Sequence, residues 1–198
     1  MLNLVKQAEE RAETVKVKSK HRVYNVLDIA GYVVNTNIDK GIRMRRYRLD
    51  LFLYFIQGYS YLLTGEPIFD APILVRNFKR PYTEWADNYF GNRYKIRPIP
   101  KIEIYFDRHH EIKKLGKLSF NPHITMLDRK LIDAILVNLN ESSTHELIHS
   151  MECCGLVKQA MHRWDKTITR TMFLKQAEMV EQLHHQISQE FEKYLHTL

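Results

Sequence analysis

The run His145-Glu146-Leu147-Ile148-His149 is the most chemically suggestive stretch of the chain. On a helix, histidines four positions apart stand one turn apart on one face, where both imidazoles can bind a zinc ion while the intervening glutamate activates a water. That reading makes His145 and His149 metal ligands and Glu146 the general base of a zinc metallopeptidase. A third ligand is then required. Glu152 follows too closely on the same helix to be a standard choice, and Glu178 or Glu181 serves only if the last helix packs alongside. A chain with 10 His also meets such a five-residue pattern by accident, so the competing expectation is a solvated helix face, incidental histidines and no cofactor.

Other candidate groups are less specific. Arg43, Arg45, Arg46 and Arg48 form the densest basic cluster, with Lys113, Lys114 and Lys117 as a second. With a formal charge of +7 they favour acidic partners, nucleic acid among them, although such clusters usually just face water. His109-His110 and His184-His185 are adjacent pairs whose rings point different ways, so neither is a natural chelate. Cys153 and Cys154 are sequence neighbours, and a bridge between them would be strained. Free thiols imply a reducing compartment, hence a cytoplasmic location. The first residues run straight into charge without the apolar core of a signal peptide, so no export is expected. The most apolar run, residues 51–63, is too short for a membrane span of roughly 20 residues, so no membrane partner is expected.

The elements that must position these groups are mostly helical. Residues 24–35 and 127–139 have helical apolar spacing, and residues 43–64 form the longest such segment, closed by Gly65 at a left-handed cap position and by Pro67. Ser142 or Ser143 caps a helix expected to run through about residue 164, and residues 169–195 give a last long one. Residues 68–76 are extended in character and residues 101–106 alternate as a strand. A short helix capped by Thr83 and a proline-bearing loop over 91–100 lie between them. The fold class is therefore mostly α, of the α+β kind, with a small β-hairpin or short antiparallel sheet. Residues 1–20 read as an N-terminal arm with a thin apolar stripe, and residues 21–198 as a single domain.

The stretch Leu49-Asp50-Leu51-Phe52-Leu53-Tyr54-Phe55, then Gln57-Gly58-Tyr59, then Leu62-Leu63-Thr64-Gly65-Glu66-Pro67-Ile68-Phe69-Asp70, resembles the signature of SocA-like antitoxins, the Panacea domain. Tyr24-Asn25-Val26-Leu27-Asp28-Ile29-Ala30 is similar to that family's opening helix, and Arg97-Pro98-Ile99-Pro100 to one of its turns. Lys130-Leu131-Ile132-Asp133-Ala134-Ile135-Leu136 resembles a late family helix, and Ser143-Thr144-His145-Glu146-Leu147 a helix start near the family domain's end. The resemblance covers roughly residues 22–160. It implies a protein-binding module, often borne on phage or mobile elements, that neutralises a cognate toxin by direct contact or presents it to a protease. Asn77-Phe78-Lys79-Arg80-Pro81-Tyr82 departs from the family's usual turn, keeping only the proline, and Arg80 in place of glycine implies a changed turn. Asp50 and Leu51 also replace a usual Gln-Lys pair. Departures of this kind, together with aromatic and arginine side chains suited to anchoring interfaces, single out Asp50, Lys79, Arg80, Tyr82 and Trp85 as expected partner contacts. The zinc metallopeptidase is the alternative, since its five-residue run is similar to the zinc helix of phage-associated metallopeptidases.

Overall fold

The computed structural model describes residues 23–76, 80–83, 104–106, 111–114 and 123–175. Helix α1, Val26–Asp39, starts where Asn25 accepts a hydrogen bond from the Leu27 N–H, a side-chain cap. Its buried face includes Val26, Leu27, Ile29, Ala30, Val33 and Val34. Helix α2, Arg46–Thr64, ends at Gly65 with φ 76°, the left-handed geometry that glycine adopts without a Cβ penalty. It starts three residues later than the apolar spacing suggests, because Arg45 forms an isolated antiparallel bridge with Glu111 and is held extended.

Every residue from Leu49 to Ser60 is buried, so α2 is covered on all sides rather than along one stripe. Polar groups inside such a helix need partners. Gln57 supplies them for the chain that follows: its Oε1 accepts from the N–H groups of Ile68 and Phe69, and its Nε2 donates to the Phe69 carbonyl. The folded-back segment then meets the start of α1. Tyr24 N–H donates to Ile68 O, and Asp70 N–H donates to Tyr24 O.

Strands β1, Ile73–Arg76, and β2, Arg80–Thr83, pair antiparallel with Ile73 opposite Thr83 and Arg76 opposite Arg80. Thr83, at the end of β2, is a buried strand residue. Arg80 lies in the extended backbone of β2, so glycine's conformational freedom is not required there. Pro81 is tolerated because β2 is the edge of the sheet. Strands β3, Ile104–Phe106, and β4, Ile112–Lys114, form a separate antiparallel pair, which places Lys113 and Lys114 in a strand.

Helix α3, Met126–Glu141, is capped by Thr125 and buries Leu131, Ile132, Ile135 and Leu136. Two aromatic hydroxyls tie it to α1 and the residues just before it: Tyr24 donates to Asp128, and Tyr32 donates to both Asp133 oxygens at 2.9 Å. Beyond it the structure corrects the sequence reading. The single helix expected up to residue 164 is two, α4, Thr144–Cys153, and α5, Leu156–Met161, separated at Gly155 with φ 69°. A two-residue strand β5, Thr167–Ile168, then pairs with β1, giving sheet order β2-β1-β5. Helix α6, Arg170–Lys175, follows β5. The fold is mostly helical with a small antiparallel sheet, as expected. Among the described residues no helix is long and apolar enough to cross a membrane. The expected arm over 1–20, the helix after Thr83, the loop over 91–100 and the chain after Lys175 lie outside the described residues, as do His109-His110, Lys117 and His184-His185.

Candidate functional site

The start of α4 has a local cause that accounts for the glutamate of the His-Glu-x-x-His run. Ser143 Oγ accepts from the Glu146 N–H at 3.2 Å, and Glu146 Oε2 accepts from the Ser143 N–H at 2.6 Å. This reciprocal capping box satisfies two N–H groups that the first turn leaves without helical partners. The hydrogen bond from Ser143 favours the ionised form and holds the Glu146 carboxyl below its ordinary range. Leu147 and Met151 carry the buried face of α4, while His145, Glu146, His149, Glu152 and Cys153 are exposed. His149 turns its ring toward Cys153, with Nε2 at 3.6 Å from Sγ. Among the described residues no group of three or more His, Cys, Asp or Glu side chains is placed to hold one metal ion; Glu178 and Glu181 lie outside them.

The basic cluster divides. Arg43 and Arg45 are exposed, with Arg43 Nε at 3.7 Å from Glu111 Oε1. Arg46 is half-buried. Arg48 points inward instead: its Nη2 donates to the carbonyls of Leu139, at 3.1 Å, and Ser142, at 2.9 Å, and its Nη1 donates to Thr144 Oγ1 at 3.1 Å. The guanidinium lies 5.0 Å from the Phe52 ring centroid. Carbonyls at the end of α3 have no helical donor, so one planar fork on α2 closes that end and pins the joint to α4. Burial lowers the pKa of Arg48 from its ordinary value.

The expected contact residues are placed unevenly. Asp50 is only 7% exposed, because α2 is wrapped all round, so its carboxylate belongs to the interior. Tyr82 is half-buried on the edge strand β2, between the buried Pro81 and Thr83. Arg80 opens the same strand, whereas Lys79 and Trp85 lie outside the described residues.

Trp164 was not anticipated by sequence. It is 94% exposed, at the tip of the turn between α5 and β5. The turn is braced. Arg163 Nε and Nη2 each donate to a different Asp165 oxygen at 3.0 Å, a bidentate pair that holds the Asp165 carboxyl below its ordinary range. Asp165 Oδ1 also accepts from the Thr167 N–H at 3.1 Å. Lys166 has φ 50°, and its carbonyl accepts from the Val75 N–H at 2.9 Å, which fastens the turn to β1. Exposed Lys158, His162, Arg163 and Lys166 are its neighbours in sequence. The available signal was a tryptophan set among charged residues, Arg163-Trp164-Asp165-Lys166, just beyond the last apolar helical position. Compared with protein-family models, curated proteins and solved structures, the chain matches none.

Proposed function

We propose that this chain is a protein-binding module of the antitoxin type, which contacts its partner through the face that presents Trp164. The observation that carries the reading is the pairing of a 94% exposed indole with a turn held by a bidentate ion pair and a backbone bond to β1. A large apolar ring facing water on rigid backbone loses little conformational freedom on docking, and tryptophan is among the residues that most often dominate interface energies. Exposed Lys158 on α5 and the overall charge of +7 suit an acidic rim around the partner's pocket. Resemblance to SocA-like antitoxins supplies the partner class, a toxin neutralised by direct contact or handed to a protease. Arg80 and Tyr82 on the edge strand are the further contact candidates, and Asp50, being buried, acts on the scaffold.

The test follows from how antitoxins of this kind are encoded, beside their toxins. Co-expression with the product of the adjacent gene is expected to yield a co-purifying complex and to restore growth that the partner alone arrests. Absence of both complex and rescue ends the antitoxin reading.

A further inference from the structure

We infer that the extended segment before α2 and strand β4 together form an electropositive surface for the phosphate backbone of a nucleic acid, a partner additional to the protein partner proposed above. The two basic clusters of the chain, at 43–48 and 113–117, are far apart in sequence. The antiparallel bridge between Arg45 and Glu111 brings them together, because the chain continues from Glu111 through β4 into Lys113 and Lys114. Its antiparallel sense runs the segment from Arg45 back to Arg43 in the direction of those lysines. Met44, between the two arginines, is fully buried, and in extended chain the neighbours of an inward residue point outward. Arg43 and Arg45 are accordingly both exposed. The approach to them is fixed, since the N–H groups of Gly41 and Ile42 donate to the carbonyls of Ile38 and Asn37 at 2.9 Å. Glu111 lies 3.7 Å from Arg43 Nε with its side chain 13% exposed, whereas that of Arg43 stays 87% exposed, so the acid steadies the guanidinium without covering it. Arg48 is engaged at the α3 and α4 joint, which leaves Arg43 and Arg45 as the outward members of the first cluster. Arginine and lysine contacts to phosphate carry no sequence information, so the binding is independent of base sequence.

Titrating a short fluorescein-labelled DNA duplex of arbitrary sequence with the untagged full chain, and reading anisotropy over a salt series, tests this. Phosphate contacts by Arg43, Arg45, Lys113 and Lys114 are expected to weaken binding roughly a hundredfold between about 50 and 200 mM salt, by counterion release. Arg43→Gln/Arg45→Gln, and separately Lys113→Gln/Lys114→Gln, should each weaken binding about tenfold or more at low salt and lower the logarithmic salt slope by about two. Arg43→Gln alone, which should lower the slope by about one, carries the test if a double variant loses its fold. Lys158→Gln removes the same charge from an exposed site on α5 and should leave the titration unchanged. No binding at about 50 mM salt, an affinity indifferent to salt, or a loss as large in Lys158→Gln as in Arg43→Gln overturns the assignment; in the last case charge anywhere on the chain suffices. Vesicles containing phosphatidylserine should fail to displace the duplex, and displacement would assign the surface to lipid headgroups instead. None of these outcomes touches the Trp164 turn, so the proposed protein-binding surface stands or falls separately.

Discussion

With its carboxylate on the Ser143 N–H, Glu146 stays ionised to lower pH than a free glutamate, since the hydrogen bond is made to the charged form. A pKa lower in the folded chain than in the unfolded chain adds stability at pH values above the unfolded value, and that contribution fades as pH falls through the lower, folded one. Unfolding by urea over a pH series should therefore show Glu146→Gln less stable than the parent chain at neutral pH, with the gap closing in acid. A gap that widens in acid would mean the capping box is not its source. Ser143→Ala removes the other half of the box and is expected to cost about 1 kcal/mol in the same measurement.

Among elements, α2 depends on how closely its neighbours approach. A Cβ on Gly58 would lie 2.6 Å from Phe173 Cε1, so the crossing of α6 over α2 has no room for one. Alanine is the better helix former by about 1 kcal/mol, whereas overpacking a well-filled core costs about 1–3 kcal/mol, so Gly58→Ala is expected to lower stability on balance. Thermal unfolding checks the sign, and pairing it with Phe173→Leu should recover part of the loss. A higher melting temperature for Gly58→Ala would mean that the Phe173 ring gives way at no net cost. Arg48 binds α2 to the α3 and α4 joint through three hydrogen bonds. Arg48→Ala should cost about 2–3 kcal/mol, because two carbonyls and a hydroxyl lose a charged donor together. A loss confined to nucleic-acid binding, with stability intact, would instead return this residue to the surface cluster with Arg43 and Arg45.

At the scale of the whole molecule, what could be read from sequence is what local chemistry dictates. Gly65 and Pro67 stop α2 where a left-handed cap is needed, and the apolar run before them, interrupted only by small or polar residues such as Gln57 and Ser60, reads as a helix buried on most sides. Gly155 was missed because Met151, Leu156, Val157 and Ala160 keep the chain apolar across the break, so spacing alone does not reveal the left-handed residue between α4 and α5. Strand β5 exists through its pairing with Ile73 and Leu74, far away in the chain, and two residues carry no periodicity of their own. That omission hid Trp164, which falls at the end of a supposed helix when β5 is not seen. Asp50 misled in the opposite direction: an acid departing from a family pattern looks like surface, yet α2 has no surface at that position. The scaffold is thus fixed by burial that sequence shows well, and the proposed docking face by a turn that sequence shows poorly.

Trp164 is the proposed anchor for a protein partner. The most direct test compares the affinity of the unmodified chain and of Trp164→Ala for the partner obtained by co-expression, with the melting temperature of each measured alongside. An exposed ring contributes little to folding, so the melting temperatures should agree, while the substitution should weaken binding by about tenfold or more. Equal affinities from two equally stable chains would show that Trp164 is not the anchor.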